Sequence, residues 1–196
     1  MKSVSESVKK NRRNHMRKLN GILAALTILF LVVHGLLACL CMMGILPYHF
    51  FYTMAGRRLT IIAGCHILIS IILMIQEQHV RKKIKVYYKE NKDTMQQMLT
   101  GIGIIVFGVL HICLYSFSKI DAHPESMELV AKHFIVDTLL FTSLCMHLSI
   151  SIPRICISWG LFTKEDTLKK VCKVSQWIMA FVLVFLMAGE IIFYIL

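Results

Sequence analysis

Residues 20–46 read NGILAALTILFLVVHGLLACLCMMGIL, a run without a single charged side chain and with one histidine, His34. At 1.5 Å rise per residue this run makes a helix about 40 Å long, more than a hydrocarbon core roughly 30 Å thick. Four later stretches have the same character: 59–77, 97–118, 133–153 and 174–196. The whole chain of 196 residues is 57% hydrophobic and 17% charged, too apolar for a soluble domain of this size. The expectation is an all-α integral membrane protein: a five-transmembrane-helix bundle over 20–196, preceded by a basic arm at 1–19.

A net charge of +11 could point to nucleic acid, but the placement of the positive residues argues otherwise. Lys2, Lys9, Lys10, Arg12, Arg13, Arg17 and Lys18 precede the first span. Arg81, Lys82, Lys83, Lys85, Lys89 and Lys92 lie between the second and third, and Arg154, Lys164, Lys169, Lys170 and Lys173 between the fourth and fifth. One side thus carries 18 of the 22 positive residues, leaving Arg57, Arg58, Lys119 and Lys132 for the other. The positive-inside rule puts the N-terminus in the cytoplasm and the C-terminus outside, in a multi-pass protein of the cell membrane. The first span could be mistaken for a lipoprotein signal ending at Leu36-Leu37-Ala38-Cys39, but the apolar run continues to Leu46 and four spans follow, so it is expected to be retained.

Seven cysteines, at 39, 41, 65, 113, 145, 156 and 172, form no CxxC, no CxxCH and no ferredoxin-like run. They read as small apolar fillers, with no covalent haem site and no iron–sulfur ligand set. Residues 1–19 carry no apolar stripe and are expected to fray or to lie at the interface. Residues 46–52 read as an outer turn at which Pro47 stops the first helix, residues 76–95 as a charged extension of the second, and residues 121–125 as a turn before an amphipathic approach to the fourth. Pro153 and Arg154 mark where the fourth span approaches the cytoplasm, although a proline can merely kink a membrane helix.

Four of the nine histidines, His34, His66, His111 and His147, sit in four different spans. An imidazole in hydrocarbon needs a partner for each ring nitrogen, and one per helix over four helices asks for something that binds imidazole; haem iron is the expected answer. Counting from the cytoplasmic edge, His34 and His111 are level at roughly 21 Å, while His66 and His147 lie nearer that edge. Two level pairs imply two stacked haem b sites, each iron held by two neutral imidazoles. Gly35, Gly64, Gly108 and Ser143 stand close in sequence to the four ligands, where small residues leave room for a flat macrocycle; ordinary small-residue helix packing explains them equally well. Any one histidine alone could instead be a satisfied core residue. His15, His49, His79, His123 and His133 are expected in loops or at interfaces, solvated.

The order of basic arm, four histidines on successive spans and a fifth span without one resembles the five-helix, di-haem cytochrome b subunit of succinate dehydrogenase and fumarate reductase. Local text is similar to that family: Met16-Arg17-Lys18-Leu19-Asn20-Gly21 before the first span, Thr100-Gly101 opening the third, and Trp159-Gly160 after the fourth. Asn20 and Gly21 stand where the family has histidine and serine. The resemblance implies a membrane anchor that relays electrons between a quinone in the bilayer, expected to be menaquinone, and a cytoplasmic flavoprotein and iron–sulfur subunit. No dinucleotide loop is present, since Gly101, Gly103 and Gly108 have the wrong spacing, so the dicarboxylate chemistry would belong to those partners. Arg17, Arg57 and Arg58 are candidates to pair with haem propionates.

Two other readings stay open on sequence alone: a different haem-b protein, such as a ferric or quinone reductase, and a haem-free transporter or assembly scaffold whose histidines hydrogen-bond across helices. Glu190, the acid deep in the fifth span, comes close to the level of His34 and His111. It could accept the proton released on quinol oxidation, or snorkel to the headgroups. Asp137 is expected at the outer interface of the fourth span.

Overall fold

The computed structural model of the chain describes residues 2–47, 50–81, 88–117, 127–161 and 165–195. It is all-helical, with α1 (Lys2–Met42), α2 (Phe50–Arg81), α3 (Tyr88–Phe117), α4 (Met127–Ser158) and α5 (Glu165–Ile195). All five are long and apolar enough to cross a membrane. Their large apolar side chains face outward, as at Trp177, Phe181 and Val184 on α5, the arrangement that suits a lipid solvent.

Helix boundaries depart from the apolar runs in a consistent way, because a run of hydropathy marks what enters lipid and not where backbone hydrogen bonding stops. Residues 2–19 do not fray: α1 runs unbroken through them, since nothing between Lys2 and Leu19 is glycine or proline and each added residue propagates an existing helix at little cost. Helix α1 also ends at Met42, five residues before Pro47. The stop is Gly44, whose φ of +69° lets Ile45 N–H donate back to Leu40 C=O at 3.0 Å and closes the last turn. Residues 50–52, expected in the outer turn, already belong to α2, while Tyr48 and His49 lie outside the described residues. Helix α2 extends to Arg81, but 88–95 belong to α3 and 82–87 lie outside the described residues. The turn at 121–125, His123 included, is likewise outside them.

Pro153 does not end α4, which continues to Ser158 with the proline inside it. The stop is again a glycine: Gly160, at φ +71°, lets Leu161 N–H donate to Cys156 C=O at 3.0 Å. The Trp159-Gly160 pair therefore has a local backbone task in this chain.

The helices form two compact units, one comprising α1 to Ala38 with α2, the other comprising residues 39–47 with α3, α4 and α5. In the first, α1 and α2 run antiparallel in a register read from two contacts. Ser70 donates to Asn20 Oδ1 at 3.1 Å, and the His34 ring lies against Gly56, where a Cβ would come 3.0 Å from its Cε1. In the second, α4 packs between α3 and α5, antiparallel to both. Gly103 of α3 gives α4 its closest approach, since a Cβ there would stand 2.7 Å from Ser143 Oγ. Ser143 thus belongs to helix packing and opens no slot. Gly35, Gly64 and Gly108, in contrast, have nothing within 4 Å of a built Cβ, so tight packing does not explain them.

Candidate functional site

Two polar clusters interrupt the apolar interior of the second unit, and each contains one of the four span histidines. The first joins the beginning of α3 to the end of α4. His147 Nδ1–H donates to the backbone carbonyl of Gln97 at 3.1 Å, with Thr100 Oγ1 at 3.2 Å, and the ring rests on Gly101 at ordinary contact distance. Gln97 Nε2 donates to Ser151 Oγ at 2.9 Å, Arg154 donates to Gln97 Oε1, and a second Arg154 nitrogen reaches Thr94 Oγ1 at 3.5 Å. Arg154, expected only as a topology charge, is the guanidinium that enters this cluster. Arg17, Arg57 and Arg58 are exposed side chains on α1 and α2.

The second cluster draws one pair of residues from each of three helices: His111 and Tyr115 on α3, His133 and Asp137 on α4, Glu190 and Tyr194 on α5. Residues four apart share a helix face, so each helix turns both members of its pair inward together. Asp137 is the hub. It is fully buried, accepting from His111 Nδ1–H at 2.6 Å on Oδ1 and from the Tyr115 hydroxyl at 2.8 Å on Oδ2. Since the Tyr115 proton is committed to Asp137, the 2.7 Å contact between Tyr115 and Tyr194 is a donation from Tyr194. His133 stacks on the Tyr194 ring and meets Tyr115 edge-on.

Asp137 is therefore enclosed by the helices and His133, at 2% exposure, is not solvated. Hydrogen bonds to two neighbours offset the cost of burying the carboxylate, and the two tyrosine rings enclose the imidazole. Glu190 does not snorkel: at 1% exposure it lies beside Asp137, carboxyl against carboxyl. His147 stands at the level of Thr100 and Gly101, and His111 is further along α3 by roughly 16 Å, so the two histidines occupy separate levels of the unit.

In the first unit, His34 rests on Gly56 as described, and the His66 ring faces the backbone of Asn20. Asn20 thus ties α1 to α2 through both His66 and Ser70. His15 is exposed, and the side chain of His79 lies outside the described residues. Cys39 and Cys145 are buried fillers, whereas Cys65 and Cys113 are exposed; all seven cysteines are free thiols. No three His, Cys, Asp or Glu residues among the described ones converge as a ligand set for a metal ion.

Chemically, the two clusters do the same thing by different means. Each holds an imidazole through Nδ1, by a carboxylate for His111 and by a backbone carbonyl for His147, which fixes ring orientation and leaves the second lone pair on Nε2. Compared with family models, curated proteins and solved structures, the chain matches none.

Proposed function

We propose that the chain is a membrane di-haem cytochrome b, an anchor of the succinate dehydrogenase and fumarate reductase type. It would relay electrons between a membrane quinone and a cytoplasmic flavoprotein and iron–sulfur subunit. The observation that carries this reading is the pair of span histidines held through Nδ1, at two levels of one unit. Imidazoles that ligate a metal characteristically donate their other N–H to a carboxylate or a carbonyl, and His111 and His147 each have such an acceptor. His34 on α1 and His66 on α2 are the other two candidate ligands, so that α1 to α4 each carry one of the four.

In this reading His111 would serve one haem b, the outer, and His147 the other, the inner, with His34 and His66 as the further candidate ligands. A bis-imidazole haem supplies one-electron transfer and has no open coordination position. The chain supplies ligation, orientation and a low dielectric. Glu190, buried at the level of His111, is the group that accepts a proton when quinol is oxidised. Arg17, Arg57 and Arg58 stay candidates for the propionates, and the orientation has the N-terminus in the cytoplasm of a cell whose plasma membrane holds the protein.

The test is the absorption spectrum of the purified protein followed by four single variants. Bis-imidazole haem gives sharp reduced bands. His34→Ala or His111→Ala is expected to remove one haem and leave the other, and His66→Ala or His147→Ala to remove the second. A full haem complement in all four variants would overturn the assignment.

The same contacts favour one second reading, a haem-free scaffold or transporter, because His111 and His147 do hydrogen-bond across from α3 to α4 and from α4 to α3. A colourless protein with both units folded selects it. If haem is present, genes for a flavoprotein and an iron–sulfur subunit beside this one distinguish the anchor from a ferric or quinone reductase.

A further inference from the structure

Asp137 stands out among the buried groups because its two oxygens are committed to two different side chains of α3. Oδ1 takes His111 Nδ1–H at 2.6 Å and Oδ2 takes the Tyr115 hydroxyl at 2.8 Å, while Tyr194 from α5 donates to Tyr115 behind them. His111 retains 23% side-chain exposure against 1% for Asp137. The imidazole therefore has one nitrogen locked to an interior anion and the rest of its ring nearer the surface of the unit. At His147 the group that meets Nδ1 is a neutral backbone carbonyl.

We propose that Asp137 is the positioning residue of the outer haem site, holding His111 in the Nδ1–H tautomer and lending its charge to the imidazole, with Tyr115 and Tyr194 keeping the carboxylate in place. This deepens the di-haem reading and rests on it. A carboxylate accepting from the far nitrogen increases the basicity of the ligating one and places negative charge near the iron. Both effects stabilise the ferric state over the ferrous state and lower the reduction potential of that haem. The Tyr115 and Tyr194 hydroxyls act one step further out, since they bond to the carboxylate and to each other and not to the imidazole.

The experiment uses the full-length protein purified with its haem, read by haem content per chain and by spectroelectrochemical titration of the two haems separately. Asp137→Asn keeps an acceptor for His111 and removes the charge. It should retain both haems while the midpoint of the His111 haem shifts upward and that of the His147 haem stays put. Asp137→Leu removes the acceptor as well, and should weaken haem binding at that site by roughly 10- to 100-fold. Tyr115→Phe removes a donor from the carboxylate and leaves more of its charge toward His111, so it should move the same midpoint downward and by less, and Asp137→Glu should hold it near the wild-type value. If Asp137→Leu does not accumulate, the nearly isosteric Asn variant decides alone.

Asn and Phe variants whose midpoints match the wild type would overturn the proposal, as would equal shifts of both haems, which mean a general disturbance of the bundle. The underlying reading fails separately, and earlier: a wild-type protein without haem bands, or a His111→Ala variant with both haems, removes the premise before any Asp137 variant is measured.

Discussion

Glu190 and Asp137 put two carboxyl groups side by side in a part of the chain that lipid surrounds, and only Asp137 has its oxygens engaged by described donors. A buried acid set beside a second carboxyl group is costly to keep and has little value for packing that a leucine would not supply. In the proposed di-haem reading it exchanges a proton with quinol. Replacing it by glutamine preserves volume and leaves a donor facing Asp137. In that reading Glu190→Gln should retain both haems and the fold but slow quinone-coupled turnover, on the order of 100-fold for a lost proton-transfer group, with electron exchange between haem and soluble donors unchanged. Steady-state quinol oxidation beside stopped-flow haem reduction checks this, and unaltered quinone turnover would reduce Glu190 to a packing residue.

At the scale of elements, α3 and α4 owe their close approach to Gly103. A methyl group there would press on Ser143, whose short side chain has no far end to swing aside. Gly103→Ala should destabilise the purified protein by about 1–3 kcal/mol, the usual cost of overpacking, and Ser143→Ala added to it should recover part of that loss. Thermal unfolding in one detergent measures both. The glycine stops give a second check. Gly44→Ala and Gly160→Ala each force a Cβ into the left-handed region, so each should cost about 1–2 kcal/mol while leaving the span histidines alone.

For the whole molecule, the uneven distribution of positive residues predicts which loops face which side. In a cysteine-depleted background, Tyr87→Cys should resist an impermeant thiol reagent added outside intact cells, and His123→Cys should react with it. The opposite pattern inverts the topology and exchanges the roles of inner and outer histidine pairs.

The number and kind of elements were legible in the sequence, because burial in hydrocarbon permits only long apolar helices, and hydropathy reports them directly. So were the placement of the four span histidines on four different helices and the level of Glu190 near His111, which follow from counting along a helix of fixed rise. Helix ends were harder to read: Gly44 and Gly160 carried the signal, but Pro47 and Pro153 drew attention from them. Much of the second cluster was legible in principle, in the spacing of four between His111 and Tyr115, His133 and Asp137, and Glu190 and Tyr194. A face, however, is not a partner. Which polar stripe meets which depends on the register and rotation of three packed helices. Only the tertiary structure could place Asp137 between His111 and Glu190, bury His133 between two tyrosines and turn Arg154 toward Gln97. Hydropathy assigns a charged or polar residue near a span end to water by default, and it takes a neighbouring helix offering hydrogen bonds to bring that residue inside.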